Sequence, residues 1–292
     1  MKRREFVLAG LLAAGAPAWA ARHPRFTKGL LWRVTKKGVA PSHVFGTIHV
    51  ADPRLAELPS AVRKALRGSH SLMVEFLADE YARERFLEAA LLPEPHTLEE
   101  VIGPEDFQRV VRSLEPIGLK PELINRLKPW SVLLNLREPR AAEGAPLDSQ
   151  LLELARARHI PCMQIEGVEE QIFTFDEFPM DAQVALLKHS LAHGDELRVL
   201  SERTLEAYLA GDLAAIWRLR EEFAARYPEI GRYQAILTKR VVYDRSVVMA
   251  FRMQRELRRG AAFVALGALH LFGEKGVLAL LEQDGYHASR LS

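Results

Sequence analysis

Apolar positions change period along this chain. Over residues 31–77 short apolar runs alternate with polar punctuation. They predict strands over 31–35 and 42–47 around a Lys37-Gly38 turn, a helix over 58–67 and a strand over 71–76. Pro59 near the start and Gly68 just past the end bound that helix. Over residues 80–140 the spacing turns helical. Phe107, Val110, Val111 and Leu114 recur at i, i+3, i+4 and i+7, Pro104 opens their helix, Gly118 closes it, and Pro121 and Pro129 restart two more. Residues 147–158 predict a helix and 161–165 a strand. Residues 180–259 read as helix after helix, punctuated by Gly194, Gly211 and Tyr227-Pro228. The tail returns to strand, helix and strand over 262–266, 274–283 and 286–291.

This order predicts a mixed α/β fold: a central sheet drawn from both chain ends, with helical insertions over about 80–140 and 180–259 forming a cap or side wall. No linker is rich enough in Gly, Ser or Pro to separate independent units, so residues 21–292 read as a single domain.

The first twenty residues stand apart. Lys2, Arg3 and Arg4 form a basic segment, residues 6–20 are apolar, and Ala18-Trp19-Ala20 supplies a cleavage site, so residues 1–20 read as a signal peptide and the mature chain begins near Ala21. The apolar run falls short of the ~20 residues that span a bilayer. Arg3-Arg4-Glu5-Phe6-Val7 fits a twin-arginine signal, and the segment also fits the general secretory route. Both lead to the periplasm or out of the cell. No later segment is apolar enough to predict a membrane span.

The chain has 292 residues, with 40 Lys+Arg against 38 Asp+Glu. Cleavage would remove Lys2, Arg3, Arg4 and Glu5 and leave the two signs balanced, which gives no support to a nucleic-acid partner. A hydrophobic fraction of 48% with 27% charged residues excludes a mainly disordered chain. The single cysteine, Cys162, excludes a disulfide framework and any Cys-rich zinc or iron–sulfur site.

One motif occurs twice. Phe45-Gly46-Thr47-Ile48-His49-Val50 and Leu266-Gly267-Ala268-Leu269-His270-Leu271 share the order apolar, Gly, small, aliphatic, His, aliphatic. Each follows an apolar strand and precedes a helix and a further strand, so the unit is strand–GxxH–helix–strand. In open α/β sheets, ligands bind beyond the carboxyl ends of the strands. A Gly there permits close approach, and a His three residues on can point into the same crevice. Two units side by side would bring His49 and His270 together, and neutral imidazole is a common ligand of transition metals. Glu75 follows Leu72-Met73-Val74 at the end of a strand that should open on that crevice.

Here the sequence resembles the TraB/GumN family, through residues 31–49 with its first GxxH, Met73-Val74-Glu75, Lys128-Pro129-Trp130, Leu147-Asp148, residues 166–171 and residues 267–276. The resemblance runs over roughly residues 28–292. It implies a divalent-metal-dependent protease of the Tiki type, favouring manganese or cobalt, with zinc also able to serve, and a peptide or protein substrate. His49 and His270 match the two motif histidines, Glu75 the strand-end acid and Arg245 an arginine late in the helical section. The family usually has Asn beside that arginine, where this chain has Ser246. It often has Asp two residues after the strand glutamate, where this chain has Leu77.

On this reading His49, His270 and Glu75 hold the metal, with Glu75 as third ligand or general base, and Arg245 stabilises developing negative charge. Gly46, Gly267, Asp148 and Glu166 line the site. For Asp148, helix capping is an equally good explanation, and for Glu166 so is pairing with an arginine. The alternative is a periplasmic haem- or metal-binding protein without hydrolytic activity, since a related group of haem-binding ChaN-like proteins also carries a His at a strand end. A scaffold in envelope export with a degenerate site is a third reading, against which both histidines and Glu75 stand.

His189 and His193, four apart on an expected helix, lack the Glu of HExxH because Ser190 follows the first His, and they read as a solvated helix face. No GxSxG, P-loop or GxGxxG occurs.

Overall fold

A computed structural model describes residues 24–136 and 145–292. The expected signal peptide and Ala21 lie outside the described residues. Among the described residues six strands form one mixed sheet: β1 (Leu31–Lys36), β2 (Val39–Thr47), β3 (Ser71–Val74), β4 (Cys162–Gln164), β5 (Ala262–Gly267) and β6 (His287–Arg290), in the order β4-β3-β5-β2-β1-β6. β2, β5, β3 and β4 are mutually parallel, and β1 pairs antiparallel with both β2 and β6. The innermost strands are apolar runs rather than alternations. Leu72, Met73 and Val74 in β3 and Ala262 to Leu266 in β5 are all buried, as strands covered on both faces require.

The helices are α1 (Ser60–Arg67), α2 (Glu80–Ala90), α3 (Leu98–Ile102), α4 (Pro104–Leu114), α5 (Pro121–Ile124), α6 (Pro129–Leu136), α7 (Leu147–Ala157), α8 (Val168–Asp176), α9 (Met180–Ala192), α10 (Gly194–Leu209), α11 (Leu213–Arg226), α12 (Pro228–Thr238), α13 (Arg245–Arg252), α14 (Gln254–Arg259) and α15 (Val277–Gln283). A π-helical stretch, Lys239–Asp244, joins α12 to α13.

The two GxxH units lie side by side. β2 pairs with β5 so that Gly46 stands opposite Leu266 and Thr47 opposite Gly267, a register one residue out of step between the motifs. From β2 the chain crosses through α1 to β3 on the far side of β5. From β5 it crosses the other way, through α15 to β6 beyond β1. The right-handed rule for such crossovers assigns helices running in opposite directions to opposite faces, and α1 packs beside α7 while α15 packs beside α13. The strand order therefore reverses between β2 and β5, the place where α/β sheets open a crevice.

The helical insertions do not act as two blocks. Helices α3 to α6, α9 and part of α12 share an apolar core of their own, with Leu98, Phe107, Leu114, Trp130, Leu187 and Ile230 buried in it. Helices α10, α11, α13 and α14 instead join the sheet core through Leu205, Tyr208, Ile216, Met249 and Leu257.

Element ends also differ from the pattern reading. β3 stops at Val74, so Glu75 lies just past the strand. The helix expected over 274–283 begins at Val277. Gly273 takes a left-handed turn at φ +76°, and the Gly276 backbone presses so close to the Phe272 carbonyl that a Cβ there would lie 2.6 Å from the oxygen.

Candidate functional site

Four parallel strands end on one edge of the sheet, and each delivers an ionisable side chain there. β2 leads to His49, β3 to Glu75, β4 to Glu166 and β5 to His270. The ladder between β3 and β4 runs on past both strands, with the Ile165 N–H donating to the Val74 carbonyl and the Glu166 N–H to that of Glu75. That continuation holds the two glutamates abreast. After Gly267 the chain turns into a short 3-10 segment, Ala268–Leu271, which folds His270 back toward the strand end.

Gly267 marks the point of convergence. A Cβ placed on it would lie 3.1 Å from Glu75 Oε1, 3.6 Å from His270 Cδ2 and 3.7 Å from His49 Nε2. The Gly267 N–H donates to Glu75 Oε1 at 2.5 Å, and His270 Nε2 faces the same oxygen at 3.8 Å. Glu75 and His270 are buried, while His49 stands on the exposed rim.

The one-residue offset between the motifs gives their glycines different jobs. Thr47 and Gly267, paired in register, face the site. A Cβ on Gly46 would instead meet Leu271 Cδ1 at 2.9 Å and Ala268 Cα at 3.0 Å. Gly46 is thus a packing glycine on the opposite side of the strand, not a site-lining residue, because successive strand residues point to opposite faces.

The remaining partners close around these groups. Asp148, in the first turn of α7, makes no cap; its Oδ2 lies 2.9 Å from His49 Nδ1 and its Oδ1 accepts the Thr47 hydroxyl at 3.1 Å. Arg245, at the start of α13, lies partly buried between two carboxylates. Its Nη2 donates to Glu75 Oε2 at 2.5 Å and to Glu166 Oε2 at 2.6 Å, and its Nε donates to both oxygens of Glu166. Gln171 adds a further donor to Glu166 at 2.8 Å. Of the guanidinium nitrogens only Nη1 lies outside these contacts, so Arg245 chiefly fixes the carboxylates.

The charges follow from these contacts. Burial opposes ionisation of Glu75, but His270, Arg245, His49 and the Gly267 N–H outweigh it and hold the carboxyl at about 2. Burial drives His270 down to about 4, with Arg245 adding to the effect, so this ring is neutral at physiological pH. His49 is pushed up to about 9, first by its hydrogen bond to Asp148, with Glu75 contributing. The site therefore holds a surplus of carboxylate and recruits a proton onto its most exposed imidazole.

His49 Nδ1 faces a carboxylate, which can only accept, so Nδ1 keeps its proton in either charge state; the second proton of the charged ring sits on Nε2, which turns toward Gly267 and would have to yield that proton to bind an ion. His270 Nδ1 lies 2.9 Å from the Ser246 hydroxyl, which donates its own proton to the Val242 carbonyl at 2.7 Å. Among the described residues, no group of three or more His, Cys, Asp or Glu side chains is arranged to hold an ion as it stands. The donor chemistry nonetheless suits a divalent cation. Two imidazole Nε2 atoms and one carboxylate oxygen converge, and each ligand is backed by the kind of second partner that fixes ring orientation and tautomer.

Sequence reasoning missed Tyr208. Its buried hydroxyl donates to the Gly46 carbonyl at 2.8 Å and so ties α10 to the first motif. No pattern marks it among the other apolar positions of its helix. His189 corrects an expectation: it is buried, not solvated, because its ring packs on His193, Phe223 and Tyr227.

The TraB/PrgY/gumN family model matches residues 30–290. The uncharacterized protein YbaP of Shigella flexneri is 28% identical over 253 residues, which cover 85% of this chain and 90% of that protein. The metalloprotease TIKI2 of Danio rerio is 24% identical over 308 residues, 88% of this chain and 60% of its own length. The metalloprotease TIKI1 of Homo sapiens is 24% identical over 307 residues, with the same two coverages. No solved structure matches. Among the described residues no helix is long and apolar enough to cross a membrane.

Proposed function

The chain belongs to the TraB/PrgY/gumN family, and from that premise we propose that it is an exported, divalent-metal-dependent hydrolase of peptide bonds. The observation that carries this reading is the meeting of His49 Nε2, His270 and Glu75 Oε1 around the empty side-chain position of Gly267. The metalloprotease relatives support the reaction class.

His49 and His270 would hold the ion through Nε2, and Glu75 through Oε1. A divalent ion in that position, manganese or cobalt with zinc also compatible, supplies Lewis acidity toward a peptide carbonyl and toward water. The protein's own groups prepare the place. His270 stays neutral, Asp148 orients the ring of His49, and Arg245 keeps Glu75 and Glu166 side by side. A carboxyl held at about 2 is a weak proton acceptor at neutral pH, which favours Glu75 as an anionic ligand over a general base. The mature chain, residues 21–292, would act as one domain in the periplasm or outside the cell on peptide or protein substrates.

The test is hydrolysis of a quenched-fluorescent peptide library by the purified mature chain after loading with Mn2+ or Co2+. Cleavage that a chelator abolishes and that His270→Ala lacks is the expected result. An inactive, metal-loaded wild type across a diverse library contradicts the reading.

A further inference from the structure

We propose that Ser246 is a positioning residue: its hydroxyl fixes the ring of His270 in the tautomer with the proton on Nδ1, so that Nε2 keeps a lone pair for an ion in the Gly267 crevice. A serine hydroxyl carries one proton. The Val242 carbonyl, 2.7 Å from the hydroxyl, can only accept, and it also hydrogen-bonds the His270 ring, which requires a protonated ring nitrogen; with the hydroxyl proton on that carbonyl, Ser246 Oγ accepts from His270 Nδ1, 2.9 Å away. The ring nitrogen must then bring the proton. Ser246 is fully buried and His270 nearly so, so water is not at hand to offer the ring an alternative partner.

The backbone is shaped to permit this. Val242 lies in the π-helical stretch Lys239–Asp244, directly before α13, where the regular helical ladder is displaced. Its carbonyl takes the Arg245 N–H and the Ser246 hydroxyl together. Adjacent residues Arg245 and Ser246 then serve the two buried groups of the site, Arg245 fixing Glu75 and Ser246 fixing His270. A serine bonded to the carbonyl four residues back gives a helix no stability of its own, so the arrangement finds its reason in the imidazole.

The importance of the lone pair rests on the proposed role of His270 as a ligand; the tautomer itself does not. The experiment separates the two. Long-range 1H–15N spectra of the uniformly labelled, metal-free mature chain at neutral pH report which nitrogen of each histidine is protonated, and His270→Gln identifies the resonance. The wild type should show His270 protonated on Nδ1. Ser246→Ala should lose that single-tautomer signature, and Ser246→Thr, which keeps the hydroxyl, should restore it. Circular dichroism checks that each variant is folded. Calorimetric titration with Mn2+ should then find Ser246→Ala weaker by about 10–100-fold and Ser246→Thr close to wild type. A wild-type ring protonated on Nε2, or an alanine variant with an unchanged ring, overturns the positioning role. A wild type that shows the Nδ1 signature yet binds no Mn2+ leaves the positioning intact and overturns the ligand reading instead.

Discussion

The backbone N–H of Gly267 donates to Oε1 of Glu75 at 2.5 Å, joining residues 192 positions apart. That one bond links the second motif to the end of the neighbouring strand. It also leaves the oxygen 3.8 Å from His270 Nε2, near enough for the two to share a ligand. Only a residue without a side chain keeps the space between them open.

Replacing Gly267 by Ala tests that space. Its φ of −52° suits any residue, and the nearest atoms to a new methyl are side-chain atoms of the site, led by Glu75 Oε1 at 3.1 Å. The variant should fold with a loss of about 1 kcal/mol, because the overpacking falls on the end of a side chain and the compatible backbone offsets part of it. Its metal affinity should fall by an order of magnitude or more. Urea unfolding and Mn2+ titration measure the two effects separately.

Gly46→Ala should behave in the opposite way. Its methyl would press on Leu271 and on the Ala268 backbone, which cannot rotate aside. A cost of about 1–3 kcal/mol in urea unfolding is expected. A fully stable variant would show that the contact between β2 and the 3-10 turn is looser than described.

Arg245→Met removes the one cation between Glu75 and Glu166. Leaving buried carboxylates uncompensated typically costs 3–5 kcal/mol, and a loss of about that size is expected here. Adding Glu166→Gln should recover part of it. Independent, additive effects of the two substitutions would contradict the coupling.

His270 gives stability a pH dependence of definite sign. Its ordinary value of 6.5 falls to about 4 in the folded chain, so the neutral ring is the native form. The associated stability is whole above pH 6.5 and is lost as pH falls toward 4. Glu75 acts in a lower window: its contribution is present above about 4.5 and is lost as pH falls toward 2. Between pH 7 and 4, wild type should therefore lose stability more steeply than His270→Gln. Parallel urea midpoints over that range would contradict the assignment.

The sequence carried the sheet and the pairing of its two motifs because burial on both faces forces continuous apolar runs at β3 and β5, and because the GxxH units repeat. His49 and His270 stood out through the repeat, Glu75 and Glu166 as carboxylates closing apolar strands, and Asp148 near a helix start, whereas Arg245 was reached through the family pattern. What stayed hidden depends on register and on distant partners. The one-residue offset that separates Gly46 from Gly267 arises between strands and has no local signature. Asp148 could have capped α7 until its carboxylate was seen on His49. Ser246 stood out only as a departure from a family pattern, since its use depends on a π-turn that no propensity predicts. His189 read as solvated because the aromatic rings that bury it come from α11 and the turn after it.

The most direct test is a thermal melt of the mature chain with and without Mn2+, Co2+ or Zn2+. A ligand that binds only the folded state at a hundred times its dissociation constant adds about 2.7 kcal/mol. Wild type should show that gain. His49→Ala and His270→Ala should lose it, Glu75→Gln should lose most of it as a missing anionic ligand, and His189→Ala should keep it. A wild type whose melting is indifferent to all three ions, or a His270→Ala variant stabilised as fully as wild type, would contradict the account.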